Sequence, residues 1–260
     1  DGRKPARGEL AADRLDLAAM AQIAQRLPLP DAMRAHPQQL APKGLVGNLL
    51  LDPQDIFIVA SGGGSISAAN SANSTTDASI NASTINAVAA NLTLSASRDI
   101  VVSAPIAMTN AGVSLRLNAD RDITVNGSIT TNGGSVTLDA DRNITVNQSI
   151  TTNNGDITLT ALNVATLQNL TLGANLNAGA GDVALTGLLV LSGASDAAST
   201  VAVSGDDIAL SGSIDGDGLQ TRSLSVVGSG GVTLGGTFTN DIGNTNPIGD
   251  LSIRGTSLTV

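Results

Sequence analysis

Residues 114–161 read SLRLNADRDITVNGSITTNGGSVTLDADRNITVNQSITTNNGDITLTA. This is one motif written twice, with a third copy beginning. Leu115, Leu117, Ala119, Ile123, Val125 and Ile129 return 21 residues later as Val136, Leu138, Ala140, Ile144, Val146 and Ile150. The first three return again as Ile157, Leu159 and Ala161, and Leu92, Leu94, Ala96, Ile100, Val102 and Ile106 precede them with a 23-residue step. A fixed period near 21, with apolar and polar residues alternating inside it, marks a coiled repeat array.

Within one repeat, Leu115, Leu117 and Ala119 alternate with Ser114, Arg116, Asn118 and Asp120, which is strand periodicity with one buried face. Asp120-Arg121 makes a corner. Ile123 and Val125 form a second short strand that ends at the turn dipeptide Asn126-Gly127. Ile129 begins a third, which ends at Asn132-Gly133-Gly134. Three strands and three corners make one turn of a parallel β-helix. The expected fold is therefore all-β: a right-handed parallel β-helix of three short strands per coil of about 21 residues, preceded by an N-terminal helical and extended arm. A lone coil cannot bury its apolar side, so such a fold gains stability by stacking several.

The repeat LDADRNITVNQSITTNNGDITLTA resembles the strand repeats of the filamentous-haemagglutinin family, large exoproteins exported by two-partner secretion. The segment LLLDPQDIFIV (49–59) is similar to one common in that family. The resemblance covers residues 45–165 best. It implies the shaft of a secreted, cell-surface, adhesin-like bacterial exoprotein. That family's export domain carries an NPNL-type motif. Asn246-Pro247-Ile248-Gly249 does not match it, so the resemblance is to the shaft repeats and not to the export domain.

Composition agrees with a thin core of stacked Val, Ile, Leu and Ala. There are two aromatic residues, Phe57 and Phe238, and no Trp or Tyr. Cysteine is absent, which excludes disulfides and thiolate metal sites. A net charge of −9 argues against a nucleic-acid partner and against an electrostatic hold on anionic membranes. No run of about 20 apolar residues spans a bilayer. The start at Asp1 without a signal peptide is read as processed or truncated.

Two domains are expected: an arm or cap over 1–44 and a β-helix over 45–260. Five of the eight prolines fall in 1–44. In GELAADRLDLAAMAQIAQRL (8–27), Leu10, Leu17, Met20, Ala24 and Leu27 keep helical spacing, followed by Pro28 and Pro30. The arm reads equally as a docking element for a partner or as a cap on the open strand edges of the first coil. Leu49, Leu51, Ile56 and Ile58 are inward candidates. The low-complexity stretch 61–83 is expected to hold a strand at 65–68, a loop near 69–77 and loose coils through Ile66, Ile80 and Ile85. Beyond 161 the period loosens, with Leu170, Leu172, Leu176, Val183, Leu185, Leu189 and Leu191 inward, then Val201, Val203, Ile208, Leu210 and Ile214. Leu224, Val226, Val232 and Leu234 follow, and Leu251, Ile253, Leu258 and Val260 lie in a last, uncapped coil. About nine coils are expected from residue 66 onward.

No catalytic, cofactor or metal residue is assigned. Asp120, Asp122, Asp139 and Asp141 lie in consecutive coils and are expected to project from one corner, where a hard cation could gather oxygens. Arg98, Arg121 and Arg142 interleave with the acids, so an Arg/Asp ladder is the preferred reading. Asp215-Gly216-Asp217-Gly218 begins like a calcium loop, but the twelfth position falls on Val226, so a tight turn is expected. His36 is the only histidine, which leaves no Ser-His-Asp or zinc set. Arg116, stacked between Thr93 and Thr137, makes no basic groove for acidic polysaccharides. Asn126 over Asn147 and Asn132 over Asn153 predict stacked amides. Thr124 over Thr145 and Thr130 over Thr151 are too few for an ice-binding array. Asn73, Asn81, Asn91, Asn126, Asn143, Asn147 and Asn169 sit in Asn-x-Ser/Thr triplets.

Three functions follow: a stiff spacer in surface attachment, a subunit of an extracellular filament joined head to tail through the arm and open ends, or a carbohydrate-active enzyme, for which the residues are missing. The partners are other copies or the rest of a longer chain through the β-helix ends, with a host or cell-surface ligand left open.

Overall fold

A computed structural model describes residues 53–65, 76–163, 166–193, 199–235 and 242–260. The expected arm with His36, together with Leu49, Leu51, Ile66 and Phe238, lies outside the described residues.

The chain begins with β1 (Ile56–Val59), β2 (Ala78–Asn81) and a short helix α1 (Ala82–Asn86). Regular coils then follow, each of three strands. The first is β3 (Leu92–Ala96), β4 (Ile100–Val102) and β5 (Ile106–Ala111). The second is β6 (Leu115–Ala119), β7 (Ile123–Val125) and β8 (Ile129–Asn132), and the third is β9 (Val136–Ala140), β10 (Ile144–Val146) and β11 (Ile150–Thr151). The fourth comprises β12 (Ile157–Asn163), an added β13 (Thr166–Leu167), β14 (Asn169–Leu172) and β15 (Leu176–Asn177). Then come β16 (Val183–Thr186), β17 (Leu188–Leu191) and β18 (Ser199–Gly205), followed by β19 (Ile208–Ser211), β20 (Ile214–Gly216) and β21 (Arg222–Gly228). The stack closes on β22 (Gly231–Leu234), β23 (Leu251–Arg254) and β24 (Ser257–Thr259).

These strands form three parallel faces. Face A stacks β3-β6-β9-β12-β16-β19-β22-β24, face B stacks β2-β1-β4-β7-β10-β14-β17-β20, and face C stacks β5-β8-β11-β15-β18-β21-β23. The all-β, parallel β-helix expectation holds. Like residues stack on like inside: Leu94, Leu117, Leu138, Leu159, Leu185, Leu210 and Leu234 form one column on face A. All seven are buried, each contributing roughly 1.5–3 kcal/mol. The inward residues expected beyond 161 are buried through Leu234, while Leu251 and Ile253 are half-buried and Leu258 and Val260 exposed. The period loosens because length is added at corners and strand ends, such as the antiparallel β12–β13 pair. Alternation inside the strands is untouched.

Two expectations are corrected. Among the described residues face A counts eight coils, not about nine, because residues 76–91 build an end structure in place of a coil. Ile85 lies not on a loose coil but on α1, buried against the core. The strands at this end also do not stack in sequence order: β1 sits between β2 and β4, paired in parallel with both. The reason is thickness. Helix α1 lies against β5, with Asn86 Oδ1 accepting the Ala107 N–H at 2.7 Å. A helix is about 10 Å across, roughly two strand spacings of about 4.8 Å. The strand leading into α1 therefore enters two rungs below β4, and β1 fills the rung between. Beyond β2, Gly64 forms one further bridge to Ile80.

Candidate functional site

The features that repeat on the outside are polar ladders at the three corners. At a corner the chain leaves the sheet, and a backbone N–H loses its place in the strand pairing. Here a side-chain oxygen from the coil below accepts it. Between faces A and B, Asp55 Oδ1 accepts the Asp99 N–H at 3.0 Å, and Asp99 Oδ1 accepts that of Asp122 at 3.2 Å. Asp122 Oδ1 accepts that of Asn143 at 3.0 Å, and Asn143 Oδ1 that of Asn169 at 3.3 Å. Each acid also meets an arginine from the coil above: Arg98–Asp55 at 3.3 Å, Arg121–Asp99 at 3.5 Å and Arg142–Asp122 at 3.7 Å. This is the Arg/Asp ladder read from the sequence, extended to Asp55.

The sequence grouping of four acids is corrected. Asp139 is not at that corner. It lies in β9 on the outer side of face A, where Arg116 donates to it at 2.7 Å. The register puts Thr93 and Thr137 on either side of Arg116, as expected. Asp120 and Asp141 are exposed beside the corner. Among the described residues no group of three His, Cys, Asp or Glu could hold a metal ion.

A second ladder, between faces C and A, went unseen in the sequence. Asn91 Oδ1 accepts the Ser114 N–H, Ser114 Oγ that of Ser135, and Ser135 Oγ that of Asp156, at 3.0–3.1 Å. Asp156 Oδ1 then accepts the Asp182 N–H at 3.0 Å, Asp182 Oδ1 that of Asp207 at 3.1 Å, and Asp207 Oδ1 that of Gly231 at 2.7 Å. Its signal was a hydrogen-bonding residue just before the first strand of each coil, visible only once the register is known.

Between faces B and C, Asn147 Nδ2 donates to Asn126 Oδ1 at 2.8 Å, as the stacked amides require. Asn132 and Asn153 do not bond each other. Each amide donates to a carbonyl one coil below, Thr109 O at 3.0 Å and Thr131 O at 2.8 Å. Beside them Thr131 and Thr152 are fully buried, their hydroxyls donating to the carbonyls of Gly134 and Gly155. A Cβ on Gly155 would stand 2.4 Å from Gly134 O, and one on Gly181 2.2 Å from Gly155 O, so this column packs backbone on backbone. Of the glycosylation triplets, Asn81, Asn91, Asn126, Asn143 and Asn147 have their amides engaged in these contacts.

Asp215 and Asp217 form the expected turn and not a cation loop. Asp215 Oδ1 accepts the Thr245 N–H at 3.2 Å. Asp217 accepts the N–H groups of Leu219 and Gln220 and the Nε–H of Arg222 at 2.9 Å. Arg222, 1% exposed, is the one charged residue on the inner side of β21, and Ser199 accepts its second bond at 3.2 Å. Burial pushes the Asp217 carboxyl up, but the bonds from Leu219, Arg222 and Gln220 and the charge of Arg222 outweigh it and hold the group below its ordinary 3.8. The pair went unread because core positions are recognised by apolar residues, and Arg222, although in phase with Leu224 and Val226, is charged. A cleft of about 350 Å³ opens beside Leu188, Val190, Asp215, Asp217 and Asn246. Both its carboxylates are committed to the contacts just described.

A family model, the TamB C-terminal domain, matches residues 37–206. No curated protein and no solved structure matches the chain.

Proposed function

The chain belongs to the TamB C-terminal domain family, which is associated with the bacterial envelope, and from that premise we propose that it acts as a stiff structural spacer in a surface-attachment exoprotein of the filamentous-haemagglutinin type. The observation that carries this reading is the continuity of the stack. Three parallel faces run through the coils, held by corner ladders of charged and amide groups that satisfy one another. Length and stiffness are what such a stack supplies. The resemblance over 45–165 and the family match over 37–206 fall on the same repeats.

The alternative, a filament subunit joined end to end, needs two open ends. Among the described residues, α1 and the Gly64 bridge cover strand edges at the first-coil end, which makes that joint the weaker reading. An enzyme is not proposed: the ladder acids at the corners are engaged in structure, and the sequence holds no Trp or Tyr and only two Phe from which to build a sugar platform.

Labelling of intact bacterial cells with antibodies to the coils tests the reading. A surface spacer is labelled without permeabilisation. Labelling that requires permeabilisation puts the chain inside the envelope and removes the attachment role. The covalent mass under denaturing conditions separates the two structural readings: far above 25.8 kDa for a shaft within a longer exoprotein, close to it for a filament subunit.

A further inference from the structure

Strand β1 is an insertion. Everywhere else on face B the rungs run in chain order; here β1, the earlier strand, sits above β2 and against β4. Asp77 lies midway in sequence between Asp55 and Asp99, which are 44 residues apart, so Asp77 is the acid that regular coiling would place beneath Asp99. Asp55 takes that place because β2 must enter low to reach α1. The result is a slot with an open strand edge above and below, which a separate segment must fill.

The slot reads its occupant in detail. Ser97 and Arg98 donate their N–H groups to Pro53 O and Gln54 O at 3.0 and 2.9 Å. Asp55 accepts the Asp99 N–H and pairs with Arg98 at 3.3 Å. Ile56 and Ile58 are completely buried, while Phe57 faces outward beside Val101 and Ser79. All these contacts belong to residues 53–59. After β1 the chain crosses to the far edge of β2, where Gly63 bonds Asn81 and Gly64 bridges Ile80; these contacts travel with β1, and the link that remains to β2, residues 65–77, is built almost wholly of Ser, Ala, Asn and Thr.

The geometry points to β1 as an exchangeable strand, with the slot between β2 and β4 taking β1 from a second copy of this chain to give a strand-swapped dimer. A swap keeps every slot contact and changes only the path of the connection, which is why exchange of an identical element is a low-cost route to a dimer. Filling the slot within one chain requires a strand to enter between two edges already joined through α1 and the first coil. A second chain competes for it once its concentration nears the effective concentration of the tethered strand, on the order of millimolar for a short link.

The chain has no cysteine, so pairs can be placed cleanly. Phe57 and Val101 are register partners on adjacent parallel strands, and a spacing of about 4.8 Å lies in the Cα range of a disulfide. One chain carrying both F57C and V101C is expected to close an internal disulfide. Chains carrying F57C or V101C alone are then mixed, refolded from denaturant and oxidised at micromolar and near-millimolar protein. The expected product is a 57–101 linked dimer, identified by peptide mass, whose yield rises at least several-fold with concentration. If the double variant closes internally while the mixture gives no 57–101 link even near millimolar, the slot excludes a second copy and the proposal fails. If the double variant does not close, β1 does not occupy the slot and the proposal fails with it.

Discussion

Replacing Asp182 by asparagine should change the sign of its effect with salt. Asp156, Asp182 and Asp207 stack in consecutive coils, with the Asp182 N–H bonded to Asp156 and Asp182 Oδ1 bonded to the Asp207 N–H. No arginine is paired with them among the described residues, unlike the acids of the A–B corner. At a rung spacing of about 4.8 Å, each like-charged neighbour costs about 0.9 kcal/mol in water without salt, so about 1.7 kcal/mol for two. At physiological salt this falls to about 1 kcal/mol and at 1 M to about 0.4 kcal/mol. Asparagine keeps the acceptor for Asp207 but exchanges a charge-assisted bond for a neutral one, a loss of about 1 kcal/mol.

The balance favours Asp182→Asn by about 0.7 kcal/mol at very low salt, is near zero at 0.15 M and disfavours it by about 0.6 kcal/mol at 1 M. Asp182→Ala removes charge and acceptor together and should lie about 1 kcal/mol below Asp182→Asn at every salt concentration, because both are uncharged. Urea unfolding followed by far-ultraviolet circular dichroism suits a chain without Trp or Tyr, with unchanged m-values as the condition for comparison. A salt-independent Asp182→Asn effect, or equal stability of the two variants, refutes the account.

Two further outcomes are expected. Gly155→Ala forces a Cβ to within 2.4 Å of Gly134 O and should destabilise by about 1–3 kcal/mol or more, whereas Gly127→Ala meets the same obstacle at Ala104 and should match it in urea midpoint. Asp217→Asn weakens the partner of a buried arginine. Because the folded carboxyl titrates below its ordinary value, its contribution is in place above that value and is lost as pH falls through the lower folded one. The stability gap between wild type and Asp217→Asn should therefore be full above about pH 5 and shrink below pH 3.8; a gap that widens on acidification contradicts the pairing.

The coils were legible because burial is written into alternation, and Leu115, Leu117 and Ala119 return in phase. Corner chemistry was legible only where the period held at 21–23 residues, as for Arg121 and Asp122. Asp156, Asp182 and Asp207 follow steps of 26 and 25 residues, which no fixed period aligns. The order of β1 and β2 was not legible at all. It follows from the thickness of α1, and neither ASTIN nor IFIV carries that information by itself.

The ladders have a direction, and it can be measured. In each corner series the acceptor belongs to the earlier coil and the N–H or amide donor to the later one: Asp99 to Asp122, Asp182 to Asp207, Asn126 to Asn147. Ala180 and Ala202 repeat the rule on Asn154 and Asn175. Each finished coil thus presents acceptors already fixed in place for the next, which favours addition in the order in which the chain runs. The consequence in the folded protein is one-sided. Asp182→Ala removes the acceptor of the Asp207 N–H but leaves the Asp182 N–H on Asp156. A loss of about 1 kcal/mol corresponds to roughly fivefold faster amide exchange at Asp207 where exchange proceeds by local opening, with Asp182 itself unchanged. Hydrogen exchange read at those two amides decides it, because equal acceleration at both would mean that the coils open together and that the ladder's direction has no energetic content.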